Sequence, residues 1–298
     1  IARDPELASD VTVEPVKLLG VDAAVVFADI MLPMEGIGVK FRIEENLGPV
    51  IESPVRTKED VEMLGDFKAE EHVGHVLTTI ARSSEKLGET PLVGFSGAPF
   101  TLASYLIEGS PSRDFSNTRK MMLADPETWA DLMEKLTPLV VEYLRAQTKA
   151  GASALQLFDS WVGCLSKEDY VAFVQPYTKR VMESLKGSVP TIHFCANSGH
   201  LVESFAETGC NGLSVDWRVP IGEVWERTGG KVSVQGNLEP AVAAYGGDLL
   251  RARVEGVMKA ARGRRGHVFN LGHGVLRETP PDNLKTIVEM VHSISEMK

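Results

Sequence analysis

Cysteine is scarce in this sequence: three among 298 residues, Cys164, Cys195 and Cys210. An odd number of scattered thiols cannot build the disulfide framework of a small secreted scaffold and reads as reduced thiols in a cytoplasmic protein. Long apolar runs are missing as well. No stretch approaches the ~18 to 20 residues that cross a bilayer, and the first residues lack the basic-then-apolar order of a signal peptide. Neither a membrane protein nor a secreted one is expected. Positive charge is also in deficit, with 31 Lys and Arg against 41 Asp and Glu and a formal net charge of -10. That balance argues against a nucleic-acid partner, and it obliges an anionic ligand to find a locally basic pocket on a repelling surface. No internal repeat or low-complexity tract occurs. What remains is a chain with 43% hydrophobic residues, long enough to bury roughly three quarters of its unfolded surface in a core.

Short apolar, β-rich runs recur along that chain. They are Ala23 to Phe27, Pro91 to Phe95, Ala154 to Phe158, Thr191 to Phe194, Gly212 to Val215, Val232 to Gln235 and His267 to Leu271. Runs apolar at almost every position suit parallel strands covered on both faces, which need crossover helices between them. Helical signals fill the intervals. Asp125-Pro126-Glu127 supplies a cap residue and a proline at the first helical position, and Ser166-Lys167-Glu168-Asp169 opens a second helix in the same way. Strict alternation without a composition break predicts one α/β domain, either a closed barrel or an open doubly wound sheet. An open dinucleotide-binding sheet would carry a Gly-x-Gly-x-x-Gly turn after its first strand. Here Ala28-Asp29-Ile30-Met31 follows instead, which favours a (β/α)8 TIM barrel. Such a barrel needs eight strands. Seven are legible and a helix-like stretch, residues 5–19, precedes the first. The expectation is therefore a single domain over residues 1–298 that lacks its N-terminal first strand. Val39 to Ile43 and Pro49 to Ile51, separated by Asn46-Leu47-Gly48, read as a hairpin inserted into the first βα connection.

Barrel enzymes place their chemistry at the carboxyl ends of the strands. The residues there are Asp29; Ser96; Asp159 and Ser160; His193, Cys195 and Asn197; Asp216; Gln235 and Asn237; Asn270 and His273. Polar residues follow strands in any protein because loops are polar, so only the whole set points to a site. Asp29 lies in an apolar stretch from Val25 to Leu32, where a carboxylate is costly unless donors or a cation face it. It is either a ligand-facing group or a structural one that caps a helix or pairs with an arginine. His273, bracketed by Gly272 and Gly274, can donate to a carboxylate or hold a proton near neutral pH. Gly94 to Tyr105 forms a small-residue loop leading into a helix, but it has no P-loop lysine, which argues against a nucleotide. His193-x-Cys195 resembles half of a zinc set, yet Cys210 falls at the start of the following strand, away from Cys195. Neither Ser160 nor Cys164 has a His and Asp arrangement that would make it a nucleophile.

Taken together, Phe27-Ala28-Asp29-Ile30, the segment from Gly94 to Gly109, Leu155 to Gly163, Asp216-Trp217, Gln235 to Leu238 and Asn270 to Gly274 resemble the uroporphyrinogen decarboxylase family. The order and spacing of these segments run over essentially the whole chain. The resemblance implies a (β/α)8 barrel that removes carbon dioxide from the four acetate side chains of uroporphyrinogen to give coproporphyrinogen, with neither metal nor organic cofactor. It implies that Asp29 accepts hydrogen bonds from pyrrole N–H groups and stabilises a protonated ring, that Tyr105 lies against a reacting acetate, that Ser160 contacts a substrate carboxylate and that His273 binds a propionate. Phe27, Phe95 and Phe158 then form apolar floor and walls. It further implies a cytoplasmic homodimer with facing clefts. Family members also carry an Arg-Gln-Ala-Gly-Arg type motif ahead of the position of Ile1, and no such motif lies within residues 1–298. Arg113, Arg218 and Arg277 are the basic residues near strand ends that remain as candidates for meeting carboxylates.

Two other readings are open at this level. A methyltransferase of the same superfamily would use a zinc-bound thiolate, with His193 and Cys195 as its best support. A porphyrin-binding scaffold would hold the tetrapyrrole and release no carbon dioxide.

Overall fold

The computed structural model describes residues 1–44, 48–261 and 263–296. Seven strands form one parallel sheet: β1 (Ala24–Val25), β4 (Leu92–Gly97), β5 (Ala154–Asp159), β6 (Thr191–Cys195), β7 (Gly212–Val215), β8 (Ser233–Gln235) and β9 (His267–Val268), hydrogen-bonded in that order. Two further strands, β2 (Phe41–Glu44) and β3 (Gly48–Ile51), pair antiparallel as the expected hairpin, with Phe41 opposite Ile51 and Glu44 opposite Gly48. Of the expected turn, Asn46 and Leu47 lie outside the described residues, and Gly48 is the first residue of β3. All seven barrel strands coincide with the runs read from the sequence. Three are shorter than expected: β1 keeps only Ala24 and Val25, Val232 precedes β8, and β9 ends at Val268, after which Leu271 rejoins the sheet through a single bridge to Leu238.

Sequence order equals spatial order throughout this sheet, as in a barrel, whereas an open doubly wound sheet reverses direction at a switch point. Among the described residues β1 and β9 do not pair with each other, so the curled sheet has two free edges, where Val25 is 51% and Val268 47% exposed.

The connecting helices start where the sequence signals them. The Asp125 carboxylate accepts from Thr128 N at 3.3 Å ahead of helix Pro126–Lys149, and Ser166 Oγ accepts from Asp169 N at 3.1 Å ahead of helix Lys167–Phe173. These bonds satisfy amide groups that a helix leaves free in its first turn. Helix Pro126–Lys149 buries Trp129, Leu132, Met133, Leu136, Val140 and Tyr143, a stripe at helical spacing laid on the sheet.

Side-chain alternation divides each strand between two environments. Leu92, Leu155, Leu157, Leu213 and Val234 face the helices and are at most 2% exposed. Their neighbours on the same strands face the barrel interior, where Phe95, Gln156, Phe158, Phe194, Ser214 and Gln235 follow one another across the paired registers.

Candidate active site

Parity along the strands corrects one part of the strand-end list. Ser96, Asp159, His193 and Cys195 pair with the helix-facing set, as in Ser96 opposite Leu157 opposite His193, and all four are at most 2% exposed. They lie behind the sheet. Their polarity had read as rim chemistry because a polar residue at the end of an apolar run gives no sign of which face it takes. His193 instead packs its ring edge against Phe205, 4.8 Å between centroids. No group of three His, Cys, Asp or Glu side chains converges to hold a metal among the described residues, so His193 and Cys195 find no third zinc ligand there. Burial raises the thiols of Cys164 and Cys210 to about 11 and that of Cys195 well above its ordinary value. Burial thus disfavours the thiolate at all three, the opposite of what an activated nucleophile needs.

On the interior face the rings of Phe95 and Phe158 meet edge-on at 5.3 Å, Phe158 meets Phe194 at 5.6 Å, and Phe194 meets His273 at 5.9 Å. Three of the residues expected at the site, Phe95, Phe158 and His273, are thus linked in one ladder through Phe194, to which the sequence pattern alone assigns no role. Strand register could have found it, since Phe194 pairs directly with Phe158 and shares its face. Next to the ladder Gln235 Nε2 donates to Gln156 Oε1 and to Ser214 Oγ, both at 3.0 Å, a satisfied polar layer in the barrel interior. At the far end of the ladder, Gly274 N donates to His273 Nδ1 at 2.8 Å. A nitrogen that accepts carries no proton, so a neutral His273 presents Nε2–H as a donor. Gly272 closes the approach from behind, because a Cβ there would stand 2.6 Å from Trp217 N.

Asp29 sits in the loop after β1, half-buried. Its Oδ1 accepts from Met31 N at 2.8 Å, the local turn that leads into helix Leu32–Gly36. No cation pairs with it among the described residues. Neither structural role open from sequence is filled: the N-cap of helix Leu32–Gly36 is Met31, with no side-chain cap, Asp29 spends one oxygen on the turn before it, and no arginine pairs with it among the described residues. Tyr105 is held on helix Pro99–Glu108, where burial first and the Asp29 charge second push its phenol up to about 12. Its ring lies 3.9 Å from that of Trp161, which in turn contacts Phe115 at 4.9 Å. Trp161 follows Ser160 directly, so the Tyr105 ring packs beside the chain segment that carries Ser160, through a tryptophan to which the sequence pattern assigns no role. Phe27 is the outlier. It is 39% exposed beyond the free edge strand β1 and touches no other ring among the described residues.

The glycines of the Gly94 to Tyr105 loop serve packing rather than an anion. A Cβ on Gly94 would collide with the Gln147 side chain, and one on Gly97 would stand 2.8 Å from Leu102. Of the basic candidates, Arg218 is the one with a built seat: its guanidinium lies 4.0 Å over the Trp217 ring and 3.0 Å from Asp216 Oδ2. Arg113 and Arg277 are exposed.

The Tyr105 phenol gives a direct check on this geometry. A raised folded value means that the stability linked to the neutral phenol is fully present below pH 10 and is lost as pH rises through about 12. Absorbance of tyrosinate, taken as the difference between the parent and Tyr105→Phe, is expected to rise with a midpoint near 12. A midpoint at the ordinary phenol value would place Tyr105 in open water.

Comparison with known proteins agrees with the barrel and the ordered motifs. The family model described as Uroporphyrinogen decarboxylase (URO-D) matches residues 1–294. The uroporphyrinogen decarboxylase of Sorangium cellulosum (strain So ce56) is 46% identical over 296 residues, covering 99% of this chain and 84% of that one. The protein of that name from Carboxydothermus hydrogenoformans is 46% identical over 299 residues, covering 100% of this chain and 85% of its own. Among solved structures, a methyltransferase from Methanosarcina mazei matches with a TM-score of 0.83 at 20% identity over 98% of this chain and 86% of that one, a likeness of fold alone. A match over nearly every residue, to proteins sharing close to half of their sequence with it, establishes that this chain belongs to the uroporphyrinogen decarboxylase family.

Proposed function

We propose that this chain removes carbon dioxide from the acetate side chains of uroporphyrinogen to give coproporphyrinogen, with Asp29 and Tyr105 as its catalytic residues. The observation that carries the assignment is the placement of Tyr105 within reach of the Asp29 charge, a carboxylate that pairs with no cation among the described residues, at one end of an interior lined by Phe95, Phe158 and Phe194.

Breaking the bond between an acetate CH2 and its carboxylate leaves an electron pair behind. A pyrrole ring protonated on carbon takes that pair, carbon dioxide departs to leave an exocyclic methylene, a proton adds to that carbon to make a methyl group, and the ring carbon gives back the proton it had gained. The ring itself is the electron sink, so the step needs neither metal nor organic cofactor. Asp29 accepts from the pyrrole N–H with the oxygen that Met31 does not use and lowers the energy of the ring cation electrostatically. Tyr105, neutral across the working pH range, donates to the acetate that reacts. Ser160 and the Nε2–H of His273 hold carboxylates that do not react, and Phe95 and Phe158 form apolar walls that favour uncharged carbon dioxide over the carboxylate it leaves. Phe27 belongs to this reading as the outer lip, beside the free edge of β1. Arg218 offers a guanidinium to a substrate that carries eight carboxylates.

A cytoplasmic homodimer completes the reading. Val275 and Leu276 expose apolar surface directly beside His273, as expected of a face that a second copy covers. No helix among the described residues is long and apolar enough to cross a membrane.

The test is stoichiometric. Purified protein given uroporphyrinogen under reducing conditions is expected to release four molecules of carbon dioxide per substrate and to accumulate coproporphyrinogen. Saturable binding of the tetrapyrrole without carbon dioxide release would select the scaffold reading instead.

A further inference from the structure

Asp159 ends β5 immediately before Ser160, yet it faces away from the cleft and is fully buried. Its Oδ1 accepts from Thr101 Oγ1 at 3.0 Å. Thr101 is also fully buried, and it lies on helix Pro99–Glu108 one turn before Tyr105, on the same side of that helix. Asp159 Oδ2 stands 3.5 Å from His193 Nε2, with neither side chain accessible and no closer hydrogen-bond partner for Oδ2 or for either ring nitrogen among the described residues. A carboxylate and an imidazole held dry in this way are costly unless they serve a purpose. Packing alone would be met by apolar side chains of similar volume.

The geometry points to a positioning role for Asp159: through Thr101 it fixes the helix that carries Tyr105 against the strand end that carries Ser160 and Trp161. The inference rests on Tyr105 and Ser160 being substrate contacts, as proposed above. A first tether between these elements is the bond from Ala98 N to Phe158 O at 2.8 Å. One bond at the start of a helix is a pivot. A second bond, one turn further on, removes the rotation that would slide Tyr105 along the ring of Trp161. His193 closes the arrangement from the far side and keeps the carboxylate turned toward Thr101.

Thr101→Val removes the donor at nearly constant volume, and Thr101→Ser restores it. In Thr101→Val, kcat is expected to fall about 10- to 100-fold with KM within about threefold of the parent, since a shift near 1 Å in a reacting group costs about that much while leaving most substrate contacts in place. Thr101→Ser is expected to return kcat to within about threefold of the parent. Trp161 supplies a readout that needs no turnover: its emission, taken as the difference between each protein and its Trp161→Phe counterpart, is expected to shift to the red in Thr101→Val as Tyr105 leaves the ring, and to return in Thr101→Ser. Asp159→Asn keeps an acceptor for Thr101 and is expected to be less impaired than Thr101→Val; should the valine variant not fold, Thr101→Ala removes the same donor and is expected to show the same fall in kcat and the same red shift. Unchanged Trp161 emission in Thr101→Val overturns the inference, as does a kcat that stays within about threefold of the parent. Absence of carbon dioxide release from the parent protein would defeat the decarboxylase assignment and leave the emission result to decide this one.

Discussion

Asp29→Asn is expected to lower kcat by about 100- to 1,000-fold, the range lost when one preorganised electrostatic group is taken from a charge-developing transition state. The exchange is nearly isosteric. An amide oxygen can still accept from Met31 N, so the turn into helix Leu32–Gly36 survives and the fold is expected to be unchanged. What disappears is the negative charge beside the ring cation. Because the substrate is itself strongly anionic, removing a carboxylate from the cleft is expected to leave KM equal or lower, and a fall in kcat without a rise in KM marks an interaction made chiefly in the transition state. The same exchange takes away the second cause of the raised Tyr105 phenol, whose midpoint should move down while staying above 10, since burial is the larger cause. Coproporphyrinogen formation followed by chromatography under reducing conditions measures the first effect, and tyrosinate absorbance the second. Turnover near the parent rate would remove Asp29 from the mechanism.

Gln147→Leu carries the largest stability effect, a loss of about 2 to 6 kcal/mol. Gln147 is fully buried on helix Pro126–Lys149, and its side-chain amide brackets one residue of β4: Oε1 accepts from Phe95 N at 2.8 Å and Nε2 donates to Phe95 O at 2.7 Å. Leucine fills the volume but leaves a backbone donor and a backbone acceptor without partners, each at a cost of about 1 to 3 kcal/mol. Gly94 is part of the same arrangement, since any Cβ there would occupy the space the Gln147 amide needs. The midpoint of denaturant unfolding at unchanged m reads the loss. A change below about 0.5 kcal/mol would mean that water reaches Phe95 and replaces both bonds. Because Phe95 is the first rung of the aromatic ladder, Gln147→Leu also tests whether the helix layer holds the cleft wall in place.

The two substitutions mark the boundary between what sequence reveals and what it conceals. Strands were legible because residues buried on both faces leave continuous apolar runs, and helix starts were legible because caps act over three or four residues. Asp29, Tyr105, Ser160 and His273 were legible as candidates because they sit in short motifs whose order matches a family. The facing of strand residues was not legible. In a strand covered on both sides the period-two signal vanishes, so Phe158 in the interior and Asp159 behind it look alike as neighbours in a string. Phe194 was missed for the same reason, and so was Trp161, whose contact with Tyr105 spans 56 positions of sequence.

Length, charge, the seven apolar runs and the ordered motifs therefore determined by themselves the fold class, the family and the identity of the candidate residues. Only the tertiary structure decided which polar groups line the interior and which hold the scaffold from behind, that Asp29 keeps one carboxylate oxygen free of its own turn, and that Phe95, Phe158, Phe194 and His273 form one continuous wall. The physical reason is that propensity, capping and composition act over a few neighbouring residues. Facing, register and side-chain contact arise when strands far apart in sequence are brought side by side.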